Sequence, residues 1–166
     1  MKIEKDLNTF NENQFISLFG SVFEKSEWIA AETFKKKPFK NSQDLINKMI
    51  KIYESCTIDQ IIVILNLHPK LAIEKKLTSF STKEQTGAEL DKCSEGELAE
   101  FERLNFNYEI KFKFPFIIAV KGKNKNEILE NFRSRINNDY KKEFQEAKKQ
   151  VMKIALFRLN EILEKN

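Results

Sequence analysis

Glycine and proline are scarce in this chain, numbering four and three among 166 residues. A β-sandwich or barrel joins many short strands by turns that call for those two residues, so their scarcity argues against both and for helices. Core material is plentiful: apolar residues make up 41% of the chain, and fifteen residues are Phe. A chain of this length can bury one sizeable core. The reading is an all-α, single-domain multi-helix bundle over residues 1–166.

Helix starts are placed by capping residues followed by apolar residues three and four apart. Asn11 opens a helix with Phe15, Leu18, Phe19, Val22 and Phe23. Ser26 opens a second with Trp28, Ile29, Ala30 and Phe34, which Pro38 stops. Ser42 caps a third whose stripe is Leu45, Ile46, Met49, Ile50 and Tyr53. Thr57 with Gln60 and Ser94 with Glu97 have the spacing of capping boxes. The first precedes Ile58, Ile61, Ile62 and Leu65; the second precedes Leu98, Phe101, Leu104, Asn105, Tyr108 and Phe112. Asn124 and Glu127 start another helix with Ile128, Leu129, Phe132 and Ile136, and Asn138 caps the longest, over about residues 139–164. One apolar run, near residues 114–120, does not fit: Phe114-Pro115-Phe116-Ile117-Ile118-Ala119-Val120 is too short and proline-marked for a helix and reads as extended. With no other strand to pair with, it is either a ligand wall or a connector whose amides bond side chains such as Asn105.

The charge balance is modest, 29 basic against 25 acidic residues, with lysines scattered among acids. That pattern belongs to a solvated helical surface rather than a nucleic-acid interface, and mildly attracts anionic small molecules. Cys56 and Cys93 make no disulfide framework, and one histidine with two distant cysteines makes no metal site. Residues 1–6 lack the apolar core of a signal peptide, the last residues are no peroxisomal address, and no apolar run is long enough to span a bilayer. The expectation is a cytoplasmic protein with no nucleic-acid or membrane partner and, if an enzyme, one without a bound cofactor or metal.

His68 is the sole histidine, and it precedes Pro69. A residue before proline is pushed out of the α region, so the preceding helix should end at or before His68. The imidazole then lies beside the negative end of the helix dipole, which favours its protonated form. Two readings follow: an acid near neutral pH, or a cap bonding the last carbonyls. After a Lys-rich connection, Ser81 and Glu84 again have capping-box spacing; alternatively Glu84 and Gln85 meet a polar ligand in the first turn of a helix. Arg158 stands on the apolar stripe Tyr140, Phe144, Ala147, Val151, Ile154, Ile162. A guanidinium there either snorkels to the surface or pairs with Glu84, another acid or a substrate, since leaving it buried and unpaired would cost several kcal/mol.

These segments, in order, resemble the OHCU decarboxylase family of urate breakdown. The resemblance rests on Phe19-Gly20-Ser21-Val22-Phe23-Glu24-Lys25-Ser26-Glu27-Trp28, Lys37-Pro38-Phe39, His68-Pro69-Lys70-Leu71-Ala72, Ser81-Thr82-Lys83-Glu84-Gln85 and Leu104-Asn105 with Tyr108. It continues through Lys111-Phe112-Lys113-Phe114-Pro115-Phe116-Ile117-Ile118, Val120-Lys121-Gly122, Arg133 to Asn138 with Glu143, and Ile154-Ala155 with Arg158-Leu159. Lys113 stands where the family has Gly, and Gly87-Ala88-Glu89-Leu90 departs from its pattern after the Glu-Gln pair. The resemblance implies an all-helical, usually dimeric, cofactor-free enzyme acting on 2-oxo-4-hydroxy-4-carboxy-5-ureidoimidazoline to give (S)-allantoin. It implies His68 as proton donor, Glu84 orienting it or the substrate hydroxyl, and Arg158 on a substrate oxygen. Ser81, Gln85 and the amides of Ile117, Ile118, Ala119, Val120 and Lys121 would read the ureido and ring groups, with Pro69 shaping the wall. An inactive helical binding module of the same fold is the alternative.

Overall fold

The computed structural model describes residues 7–73 and 76–164. Residues 1–6 and 165–166, read above for targeting signals, and residues 74–75 of the Lys-rich connection lie outside them. The described residues form eight α-helices and no strand: α1 (Glu12–Phe19), α2 (Trp28–Phe34), α3 (Ser42–Glu54), α4 (Ile58–Asn66), α5 (Ser79–Gly87), α6 (Glu95–Phe112), α7 (Lys125–Arg135) and α8 (Tyr140–Glu164). A 3-10 turn at Leu90–Lys92 separates α5 from α6. The chain groups into two compact units, one of Met1–Leu67 with Met152–Asn166 and one of His68–Val151. α8 belongs to both.

In the first unit α2 packs on α1 and α3. The Asn11 side chain accepts from the Gln14 amide while Gln14 Oε1 accepts from the Asn11 amide, closing a capping box. α1 stops at Phe19, earlier than the apolar spacing suggests, yet Val22 and Phe23 stay buried in the turns that follow. Ser26 does not cap α2; Glu27 holds that position, and Ser26 Oγ donates to the Glu24 carbonyl. Asn41 rather than Ser42 caps α3, because its extended backbone aims its side-chain oxygen at the Asp44 amide. Phe15 sits at the centre, its ring 4.8 Å from Phe19 and 5.7 Å from Phe39. Phe23 stacks on Tyr53 beside them.

The second unit is built on an aromatic cluster. Phe116 stacks on Phe132 at 3.9 Å, and Tyr108 meets Phe112, Phe114, Phe116 and Phe132. Capping boxes start α6 at Ser94 and α7 at Asn124. α8 starts one residue later than expected: Asp139 Oδ1 accepts from the Lys142 amide, while Asn138 donates to Glu143. α6 ends on Lys113 at φ +62°, a left-handed C-cap, and this is the position where glycine was expected. From there residues 114–120 run extended and buried, with no strand beside them among the described residues.

Candidate active site

α4 is short and strongly apolar, started by the Thr57–Gln60 capping box and ended at Asn66, with Leu67 as its C-cap. His68 follows directly, 8% exposed, as the residue before a proline requires. Its neighbours downstream are gripped from two helices. Asn105 Nδ2 on α6 donates to the Leu71 carbonyl at 3.2 Å, and Gln85 Oε1 on α5 accepts from the Ala72 amide at 3.0 Å. These bonds take the two ends of a single peptide group. Ala72 is thereby held at φ +66°, a left-handed conformation that costs a non-glycine residue about 1–2 kcal/mol. Lys70 is tied to Glu109 of α6 at 2.7 Å. The turn carrying His68 and Pro69 is thus fixed to α5 and α6 just downstream of the imidazole.

The Ser81–Glu84 capping box does not form. Thr78 caps α5, its Oγ1 accepting from the Ser81 amide, so Ser81 and Glu84 lie within the helix and Glu84 and Gln85 fall in its second turn. The Ser81 side chain therefore caps nothing at the helix start, and its own amide is taken by the Thr78 hydroxyl. Ser81 and Gln85, four apart, share the buried face that meets the His68 turn.

Three buried side-chain N or O atoms among the described residues lack a hydrogen-bond partner, and two are on the residues that grip this turn: Gln85 Nε2 and Asn105 Oδ1. Neither amide can flip to mend this. Asn105 Nδ2 already serves the carbonyls of Leu71 and Phe101, and Gln85 Oε1 serves Ala72. Leaving a buried polar group unpaired costs about 1–3 kcal/mol, so two around one peptide mark a site built for something other than stability. The connector reading of the extended segment offered Asn105 as a partner for its amides; Asn105 Nδ2 instead donates to Leu71 and Phe101.

The extended segment takes its hydrogen bonds from residues the site reading missed. Arg135 Nη1 donates to the Ile117 carbonyl at 2.7 Å, and Gln150 Oε1 accepts from the Ala119 amide at 2.9 Å. Ala119's amide is therefore committed within the protein. In extended chain, alternate residues present their backbone groups to opposite edges. Ile117 and Ala119 bond side chains of α7 and α8; by that alternation Ile118 and the Val120 amide turn to the other edge, while the Val120 carbonyl accepts from the Lys123 amide at 2.9 Å. Lys121 lies in the exposed turn that follows. Arg135 is itself held by Glu143, whose Oε1 accepts from Nε at 2.9 Å and Nη2 at 2.6 Å as well as from the Tyr108 hydroxyl. Burial first, and the hydrogen bond to Glu143 second, push the Tyr108 hydroxyl far above its ordinary range. The run from Arg133 to Glu143 quoted above was the signal for Arg135 and Glu143; nothing local in the sequence pointed to Gln150.

Arg158 is 2% exposed, so it does not snorkel. Glu24 is a carboxylate partner, at 3.0 Å from Nη2, and Nη1 donates to the Ser21 and Val22 carbonyls. It lies in the first unit, whereas His68, Pro69, Ser81, Glu84, Gln85 and residues 117–121 lie in the second. No group of three or more metal-ligating side chains occurs among the described residues. No helix among them is long and apolar enough to cross a membrane.

A sequence profile of the OHCU decarboxylase family matches residues 8–160. The uric acid degradation bifunctional protein of Bacillus sp. (strain TB-90) is 38% identical over 158 residues, which are 95% of this chain and 32% of that protein. The chain thus spans about a third of the bifunctional relatives it matches, 32% in both the TB-90 and the Bacillus subtilis (strain 168) proteins. The 2-oxo-4-hydroxy-4-carboxy-5-ureidoimidazoline decarboxylase of Haloferax volcanii is 32% identical and is matched over 94% of its length. Among solved structures, an (S)-allantoin synthase superposes with a TM-score of 0.78 at 27% identity, over 95% of this chain and 52% of that one. An OHCU decarboxylase crystallised in the presence of (S)-allantoin shares the fold, with a TM-score of 0.71 at 21% identity over 93% of this chain and 99% of that one.

Proposed function

The chain belongs to the OHCU decarboxylase family, and from that premise we propose that it converts 2-oxo-4-hydroxy-4-carboxy-5-ureidoimidazoline to (S)-allantoin in urate breakdown, without a cofactor. The observation that carries the proposal is the pair of unpaired amide atoms around the peptide that follows His68 and Pro69. A ureido-substituted ring is rich in N–H and C=O groups, the complement of such atoms. In the reaction the bond to the carboxylate carbon breaks, carbon dioxide leaves, and the electron pair left on the ring carbon moves into the adjacent ring C=N. His68 then delivers a proton to the carbon on one face, which fixes the product's hand; a positioned acid of this kind is worth about 10²–10⁴-fold. Glu84 orients His68 or the substrate hydroxyl, Ser81 and Gln85 read the ureido group, and Pro69 shapes the wall. The amides of the 117–121 segment that do not serve the protein read the ring.

Arg158 keeps its role on a substrate oxygen, with Glu24 and two carbonyls holding its planar fork in one orientation. The profile match runs unbroken through both compact units, which supports a single functional domain over residues 1–166. A cytoplasmic homodimer is part of the proposal. Phe106 and Ile110, 65% and 54% exposed one turn apart on α6, are apolar surface of the kind subunits cover.

The test mixes the protein with freshly generated substrate and follows chiral allantoin by circular dichroism. Enantioselective acceleration is expected; a rate equal to the spontaneous, racemic background would leave the inactive binding module as the reading. His68→Asn should abolish the acceleration at unchanged helicity, and an active variant would remove the proton-donor assignment.

A further inference from the structure

Two side-chain relays from α8 reach the same edge of the extended segment. In one, Glu143 holds Arg135, which donates to Ile117. In the other, Glu146 Oε1 accepts from Gln150 Nε2 at 2.7 Å, and Gln150 Oε1 accepts from Ala119. The Glu146 bond removes the ambiguity of a carboxamide. With Nε2 committed to a carboxylate one helical turn earlier, the oxygen must face the Ala119 amide. Gln150 is buried at 7% exposure, and it sits on the apolar face of α8 between Ala147 and Val151. A polar side chain in that place costs desolvation that an aliphatic one would avoid.

We propose that Gln150 is a positioning residue that sets the register of the 117–120 segment, so that the Ile118 backbone groups and the Val120 amide face the substrate. The proposal rests on the functional reading above, in which this segment is a substrate wall. Its reasoning is geometric. A lone extended segment has no ladder to fix which residues face which way, and slipping it by one residue exchanges its two edges. Arg135 and Gln150 grip residues 117 and 119, two apart, and two grips at that spacing forbid the one-residue slip that would exchange the edges. Gln150 acts through the wall and touches no reacting atom in this account, so its removal should weaken binding more than it slows the chemical step.

The experiment uses the full chain and two variants, Gln150→Leu and Gln150→Glu, with steady-state kinetics on freshly generated substrate and amide hydrogen exchange at Ala119. Leu fills the space but cannot accept from Ala119; Glu keeps an acceptor oxygen for it while placing a second carboxylate beside Glu146. A purely structural role favours Leu, the apolar choice on a buried face. A positioning role favours Glu. The expected result is faster exchange at Ala119 in the Leu variant, with KM raised about tenfold and kcat within about threefold of the parent, as for loss of binding shared by ground and transition states. The Glu variant should recover most of the KM despite melting at a lower temperature. A Leu variant with the parent's KM, unchanged exchange at Ala119, or a Glu variant with the poorer KM would each overturn the assignment. A parent protein without turnover fails before any variant is made, and takes the functional reading down along with this one.

Discussion

Replacing Glu143 by Gln removes one charge and almost no volume from the best-connected point of the second unit. The carboxylate is fully buried and accepts from Arg135 Nε, Arg135 Nη2, the Tyr108 hydroxyl and Asn138 Nδ2. The substituted carboxamide keeps one oxygen for the first three donors, but being neutral it no longer balances a guanidinium that is 7% exposed. Breaking a buried pair from one side costs about 3–5 kcal/mol, most of it the charge left behind, and that is the destabilisation expected here. Arg135→Met should cost a similar amount, because it strands the carboxylate and removes the donor to Ile117. The double variant holds no unpaired charge, and its main remaining fault is the orphaned Ile117 carbonyl, worth about 1–3 kcal/mol. The two losses should therefore fall well short of additive, with a coupling of at least about 2 kcal/mol. Urea denaturation at neutral pH reads all four proteins, with the dependence on denaturant expected to stay constant. A Glu143→Gln loss below about 1 kcal/mol, or simple additivity, would show that the network does not carry the charge balance argued from it.

Lys113→Gly should stabilise the protein by about 0.5–1 kcal/mol, since relief of a left-handed residue, about 1–2 kcal/mol, exceeds the freedom glycine adds to the unfolded chain; a lower melting temperature would contradict the strain. Burial pushes the hydroxyls of Tyr53 and Tyr108 far above their ordinary 10.0. The unfolded chain therefore releases two protons above pH 10 that the folded chain retains, so stability is full below that pH and should fall by about 1.4 kcal/mol per pH unit for each tyrosine as pH rises. Tyr108→Phe should halve that slope in alkaline urea titrations, and an unchanged slope would count against it. On the acid side, Arg133 beside Glu100 and Lys125 beside Glu97 hold both carboxyls below their ordinary 4.5. The stability they contribute is present above that pH and should be lost as pH falls through the lowered values; Glu100→Gln should flatten the acid limb of a thermal-melt series.

Asn11, Thr57, Ser94 and Asn124 start helices as their spacing requires, whereas Ser26 does not, Glu27 taking the N-cap position of α2. Where a second candidate stood nearby, the nearer-looking one lost. Asn41 displaced Ser42 and Thr78 displaced Ser81, because the cap falls to the residue whose backbone is extended at the helix entry; at α8 Asp139 rather than Asn138 takes the first-turn amide. The site follows the same division. The placement of His68 just past a helix end was legible because proline is a local signal, whereas Ser81 and Gln85 were singled out by a capping pattern that did not form and by the family resemblance. The partners of Arg158 and Ala119 were not, since Glu24 lies 134 residues from Arg158 and Gln150 lies 31 from Ala119, and composition says nothing at such separations.

The order in which a ribosome releases this chain bears differently on its two units. Residues 68–151 are contiguous, and each hydrogen bond described above for the His68 turn and the extended wall has both its partners once Val151 has emerged. The first unit starts earlier and finishes later, for its last stretch begins at Met152. Until Arg158 arrives, Glu24 is a carboxylate destined for the interior without the cation that lets it go there. A nascent chain halted before that point should hold a folded second unit between two incomplete pieces of the first, and the stretch still to come carries the charge that closes it.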